Sequence, residues 1–153
     1  MNKQTLTAFF CLLILTGCSG AMPKLGVQNS LLEACPSSPK CVSSQASDEA
    51  HYIEPIKATG SVSAVKKDLL TILEGIERTV ITSAEGNYVR AECASKVFGF
   101  VDDIEFLIIN VDNSDDVLIH VRSSAREGYF DFGVNRKRIE SIRQQMTSMA
   151  KSN

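Results

Sequence analysis

This chain lacks the short patterns that mark most catalytic centres. It has no Gly-x-Ser-x-Gly elbow, no phosphate-binding glycine loop and no His-Glu-x-x-His helix. Two histidines, His51 and His120, are too few for a histidine-rich metal centre. Basic charge is not in excess either. Lys and Arg number 16 against 18 Asp and Glu, which excludes bulk attraction to nucleic acid. There is no internal repeat, no low-complexity segment, and beyond residue 17 no apolar run long enough to cross a bilayer as a helix.

What the chain does have is an N-terminal leader. Lys3 supplies a charged start, Ala8 to Leu15 an apolar stretch, and Leu15-Thr16-Gly17-Cys18 a small residue directly before a cysteine. The apolar stretch is too short to span a membrane. It reads as a secretory signal over residues 1–17, and Leu-x-Gly-Cys resembles the bacterial lipobox, which implies acylation at Cys18. Removing Lys3 with the leader leaves a formal charge of −3 and roughly 135 residues, enough for one domain with one core. Attachment would rest on acyl chains, palmitate included, and several chains hold better than one.

Cysteine usage agrees with export to an oxidising compartment. Cys35-Pro36-Ser37-Ser38-Pro39-Lys40-Cys41 keeps two thiols close in a proline-stiffened loop, which favours a disulfide. A bridge closing so short a loop contributes about 2 kcal/mol in the chain-entropy model. Five intervening residues do not match the common zinc spacing, so no metal is expected. In Tyr88-Val89-Arg90-Ala91-Glu92-Cys93, the residues Val89, Ala91 and Cys93 share one strand face. Cys93 therefore reads as a small buried hydrophobe, with pairing to Cys35 or Cys41 as the alternative.

Residues 18–34 contain Gly20, Pro23, Gly26 and Asn29 with little periodicity and read as a lipidated tether, Leu31 and Leu32 being the residues able to dock. A single domain follows over 35–150. Val62, Val65, Leu69, Ile72, Leu73 and Ile76 recur at helical spacing behind Ser61, a good N-cap. Strands are expected over 79–83, 87–95, 104–111 and 117–123. Glu85-Gly86-Asn87 and Asp112-Asn113-Ser114-Asp115 supply turns for antiparallel hairpins. The strand 104–111 is apolar on both faces apart from Glu105 and Asn110, so it should be central. A last helix over about 135–150 carries Ile139, Ile142, Met146 and Met149 as its stripe. The expected fold is α+β: an antiparallel meander of three to four strands flanked by an N-terminal and a C-terminal helix.

Charge is segregated along this frame. Asp102, Asp103, Glu105, Asp112, Asp115 and Asp116 fall in one stretch without a base, whereas Arg122, Arg126, Arg136, Lys137, Arg138 and Arg143 dominate the next. Ion pairing between neighbouring elements accounts for most of them. If Asn135 caps the last helix, however, Arg136, Lys137 and Arg138 occupy its first turn, where the helix dipole opposes cations by a few tenths to about 1 kcal/mol each. Asp131, Asp102 or Asp103 could compensate, or an anionic ligand held by Arg122, Arg126, Arg136 and Arg138. Adjacent in sequence, Asp102 and Asp103 would point apart on a strand and are read as ending a loop. A Cys93–His120 catalytic pair across the sheet is conceivable, but a thiol on an apolar face is usually inert.

Cys35 to Gln45, Asp102-Asp103-Ile104-Glu105-Phe106, and Arg122-Ser123-Ser124-Ala125-Arg126 with Gly128, Asp131, Gly133, Asn135, Arg136, Arg138, Ile139 and Glu140 together resemble the domain of unknown function 1499 family. The resemblance covers nearly everything after the tether. It implies no established activity, and membrane-targeting segments in many members. Ala125 and Glu127 depart from the family's commoner serine and apolar residue, which argues against a hydroxyl-based or uncharged pocket at that loop. The family's motif arginines and acids map onto Asp102, Asp103, Glu105, Arg122, Arg126, Asp131, Arg136 and Arg138.

The expectation that results is a lipid-anchored envelope protein, periplasmic in orientation. Ser19 resembles the outer-membrane sorting pattern in a host with two membranes. Its domain is expected to be non-enzymatic and to bind an anionic ligand or a partner protein. The alternatives are an envelope enzyme using Asp102, Asp103, Glu105 and the arginines, and a purely structural module. No cofactor is implied; the membrane is reached through the acyl chains.

Overall fold

A computed structural model describes residues 23–112 and 114–151. Cys18 and the leader lie outside them. In chain order the elements are β1 (Val27–Gln28), β2 (Leu31–Leu32), β3 (Cys41–Ser43), β4 (Ile56–Thr59), α1 (Val62–Gly75), β5 (Thr79–Ser83), β6 (Tyr88–Ala94), β7 (Val101–Asn110), β8 (Asp116–Ala125) and α2 (Val134–Ala150). The fold is α+β, with two helices as expected and more strands than expected. Six strands form one antiparallel sheet in the order β3-β8-β7-β6-β5, with β4 also paired to β8, and β1 and β2 form a small separate hairpin.

The long strands follow from alternation. Val89, Ala91 and Cys93 on β6, Ile104, Phe106 and Ile108 on β7, and Val117, Ile119 and Val121 on β8 all turn to one face and are buried there. Both helices lie side by side against that face. Helix α1 contributes Val65, Leu69, Ile72 and Leu73, and α2 contributes Ile139, Ile142 and Met146. Each large side chain so buried stabilises the fold by roughly 1.5–3 kcal/mol. Ser61 caps α1 as its sequence indicates, its Oγ accepting from the Ala64 amide at 3.2 Å.

Three features depart from the sequence reading. The short strands β3 and β4 share the outer edge of β8, pairing with residues 122–124 and 116–119 respectively. Segments of three and four residues carry no periodic signal of their own, so they emerge only from pairing. Part of the segment read as a tether folds as the β1–β2 hairpin, with Leu32 buried. Finally, α2 is not capped by Asn135. Its N-cap is Gly133 at φ 75°, a left-handed conformation suited to glycine. The Asp131 carboxylate instead accepts from the Gly133 and Asn135 amides, both at 2.9 Å, and complements the helix dipole. Asn135 is inside the first turn and fully buried.

Candidate functional site

The side chains that alternate with the core residues point to the other face of the sheet. There Tyr88, Arg90 and Glu92 on β6, Asp103, Glu105 and Leu107 on β7, and His120, Arg122 and Ser124 on β8 stand next to one another. Opposite neighbours alone do not satisfy them; diagonal reach does. Asp103 takes Arg90 Nη2 at 2.6 Å on Oδ1, with Arg126 Nη2 on the same oxygen and Arg126 Nε on Oδ2, both at 2.8 Å. Arg126 Nη2 also donates to Glu92 Oε1. Arg122 Nη1 donates to Glu105 Oε2 at 3.2 Å.

A strap of chain, residues 23–36, covers this charged face. The Gly26 amide and the Tyr88 hydroxyl donate to Glu105 Oε1 at 3.0 and 2.8 Å. Gln45 clamps the hairpin, its Oε1 accepting from the Leu32 amide at 2.8 Å and its Nε2 donating to the Ser30 carbonyl at 3.2 Å. The Cys35–Cys41 disulfide then fastens the end of the strap to β3. Under these clamps Asp103, Glu105 and Arg122 are buried.

Burial acts differently on the two carboxylates. At Asp103 it pushes the pKa up, but the hydrogen bonds and charges of Arg126 and Arg90 outweigh it and hold the carboxyl below its usual range. At Glu105 burial wins over Tyr88, Arg122 and the Gly26 amide, and the pKa is raised. The Asp103 hydrogen bonds in turn raise the pKa of Arg126. Burial, with the Glu105 charge, raises that of Tyr88.

A cleft of about 450 Å³ opens between the strap, at Pro23 and residues 33–36, and the sheet, where Arg122, Ser124, Arg126 and Asp103 line it beside Lys40. The volume suits a small ligand. Within it the two arginines differ. Arg126 spends Nε and Nη2 on Asp103 and Glu92. Arg122 is 5 % exposed, and its Nε is buried with no hydrogen-bond partner among the described residues. Leaving such a donor unmet costs about 1–3 kcal/mol.

The remaining expected site residues lie elsewhere. Asp102 does not end a loop: it sits in β7 and points to the helix side, where Arg138 Nη2 meets its Oδ2 at 2.7 Å. Burial raises the Asp102 pKa against that pairing. Arg138 Nη1 donates to Asn135 Oδ1 at 2.9 Å, and Asn135 Nδ2 to the Lys40 carbonyl at 3.2 Å. Arg136 does not line the cleft and pairs with no carboxylate among the described residues; its Nη2 donates to the Ala50 carbonyl at 3.2 Å. Asp102, Asp103 and Glu105 therefore do not share one site. Nor do Cys93 and His120. Cys93 is a buried free thiol, its pKa raised by burial, beside Thr79 Oγ1 at 3.1 Å. His120 lies on the opposite face, with Nδ1 3.1 Å from Ser44 Oγ. Among the described residues no cluster of three His, Cys, Asp or Glu side chains could hold a metal ion.

Arg90, Glu92, Tyr88, Lys40 and Ser124 join the site without having been singled out as candidates. The alternation that assigns Val89, Ala91 and Cys93 to the core already assigns Tyr88, Arg90 and Glu92 to its opposite face.

These features define a class: an α+β domain whose sheet is covered by helices on one face and by a disulfide-fastened strap over ion pairs on the other. Residues 31–146 match the family described as "Protein of unknown function (DUF1499)", and the chain belongs to that family. Among solved structures it is similar to the crystal structure of TTHA0849 from Thermus thermophilus, at 9% identity and a TM-score of 0.29, over 63% of this chain and 99% of that one. No curated protein matches the chain.

Proposed function

We propose that this is a lipid-anchored protein of the bacterial cell envelope that binds a small anionic group, without catalysis, in the cleft between strap and sheet. The lipid anchor is supported by Leu15-Thr16-Gly17-Cys18 behind a short apolar leader, and export by the bonded Cys35–Cys41 pair. Binding is supported by one observation above the others. Arg122 lines a cleft whose neighbouring cations are Arg126 and Lys40, and its Nε, like that of Arg90 beneath the same face, is buried without a partner among the described residues. An anion placed there would satisfy a donor that the protein leaves unsatisfied. Glu33 on the strap side of the cleft disfavours large polyanions.

Titration of the mature protein with inorganic phosphate, followed through the arginine Nε–H resonances, tests the reading. Arg122 should shift saturably while Arg143, bonded to the Glu54 and Pro55 carbonyls, stays still. Arg122→Lys keeps the charge but loses the planar fork, and should weaken binding severalfold. An Arg122 resonance that moves no more than Arg143 would remove the binding reading and leave the charged face as a structural ion-pair layer. For the anchor, intact mass of the mature chain should show acyl groups on Cys18. A free N-terminus there defeats it.

A further inference from the structure

The two loops at one end of the sheet carry an unusual load of exposed apolar side chains. In the β6–β7 turn these are Val97, Phe98 and Phe100, and between β8 and α2 they are Tyr129, Phe130 and Phe132, with Val134 at the start of α2. Phe98 is 75 % and Phe132 89 % exposed. Phe98 and Phe100 stack with ring centroids 5.5 Å apart, and Tyr129 and Phe130 meet edge to face at 4.9 Å. The roots of the loops are joined, since the Arg126 amide donates to the Val101 carbonyl at 3.0 Å. Phe132 even holds a positive φ of 55°, a conformation that a bulky side chain rarely adopts. So concentrated an apolar surface marks an interaction site.

Where the chain enters the fold indicates what meets this surface. The strap is bonded to Glu105 of β7 through the Gly26 amide, and Pro23, three residues earlier, lines the cleft together with Asp103, Ala125 and Arg126. Pro23 therefore lies at the same end of the sheet as the aromatic loops. Five residue steps separate it from Cys18, a reach of roughly 17 Å at most. An acyl group on Cys18 would hold this end, and not the β7–β8 turn at the other, close to the bilayer. The charges fit as well. Lys96 and Lys137 are exposed in or beside the loops, both Asp131 oxygens are turned inward to cap α2, and the one other loop carboxylate, Glu127, is half-buried.

We propose that these loops form a second membrane contact, in which Phe98, Phe100, Tyr129, Phe130 and Phe132 enter the headgroup region of an anionic bilayer and fix the domain's orientation on it. Tyr129 suits that interface because its ring is apolar and its hydroxyl stays wet, and the phenylalanines bury apolar area at the boundary between headgroups and acyl chains. The orientation rests on the reading of Cys18 as the lipid site. The ring insertion is a property of the loops themselves.

The sequence contains no tryptophan, so a single substitution is a clean reporter. Phe130→Trp and, at the opposite end, Val111→Trp are made in the mature chain and reconstituted into phosphatidylethanolamine–phosphatidylglycerol vesicles, with and without brominated acyl chains. Phe130→Trp should shift its emission to the blue and be quenched by the brominated lipid, whereas Val111→Trp should behave as in buffer. Equal quenching at both ends, or none at Phe130→Trp, overturns the proposal. So does concentration-dependent dimerisation in lipid-free buffer that Phe98→Ser and Phe132→Ser abolish, which would assign the surface to a second copy. Intact mass of the same samples scores the Cys18 anchor separately. Quenching of Phe130→Trp in an unacylated sample would retain the loop contact and discard the anchor.

Discussion

The two faces of one sheet are buried by opposite means. On the helix side, Ile104, Phe106 and Ile108 of β7 meet the apolar stripes of two helices; one residue along, Asp103 and Glu105 on the other side meet arginines under a strap. An apolar face tolerates exchange among side chains of similar volume. A charged buried face does not, because each carboxylate depends on particular donors. Ion pairs taken out of water contribute little net stability, yet losing one partner is costly. The helix face therefore carries the stability, while the strap face confines the side chains to one arrangement and keeps the Arg122 Nε in place.

The contrast is broken most forcefully from the apolar side. Phe106 is fully buried, and Phe106→Ala should cost about 3–5 kcal/mol in urea denaturation, with a loss that does not vary with pH. Asp103→Asn should cost about 3 kcal/mol, the low end for a broken buried pair because Glu92 remains for Arg126. Its signature is the pH dependence. The lowered pKa of Asp103 gives stability that is complete above the unfolded value near 3.9 and is lost as pH falls through the folded value below it. Glu105 and Asp102 have raised values, so their cost at neutral pH is relieved as pH falls through their folded values. Wild type should thus lose stability in strong acid, and Asp103→Asn should lose much less. A mutant with the wild-type acid limb would show that another group sets it.

Replacing Cys35 and Cys41 together by alanine should lower stability by about 2 kcal/mol and act locally. Amide exchange should accelerate strongly at Gly26 and Leu32 on the strap, while the amides of β6 and β7 accelerate only by as much as global stability falls. Uniform acceleration would mean that the strap and the core unfold as one unit. The smallest effect is expected for Arg136→Gln. Its guanidinium donates to a backbone carbonyl and meets no carboxylate among the described residues, so the change should stay within about 0.5 kcal/mol. A loss of several kcal/mol there would require an ion pair that is absent among the described residues.

Much of this was legible in advance from local chemistry. Both helices, the four long strands and the Cys35–Cys41 pairing follow from spacing, capping and proximity, each set by residues close in the chain. The ion pairing of Asp102, Asp103 and Glu105 with arginines was legible as a tendency, not as an assignment of partners. Arg126 reaches Asp103 across 23 residues and Glu92 across 34, and no periodicity encodes such diagonals. Arg136 and Arg138 look equivalent in the first turn of α2. The helix's rotation against the sheet gives Arg138 a carboxylate and Arg136 a carbonyl.

The sequence by itself determined the two helices, the four longer strands and which of their residues share a face, because backbone geometry fixes a repeat of 3.6 or 2 whatever lies nearby. Only the tertiary structure decided which charges meet, that a glycine-containing segment without periodicity lies over them as a strap, and that the Nε atoms of Arg90 and Arg122 are buried without a partner among the described residues. Burial and pairing depend on what arrives from distant parts of the chain. A carboxylate held ionised beside two arginines and one pushed toward its neutral form two residues away are the same chemistry in the sequence; their separation is a property of the fold.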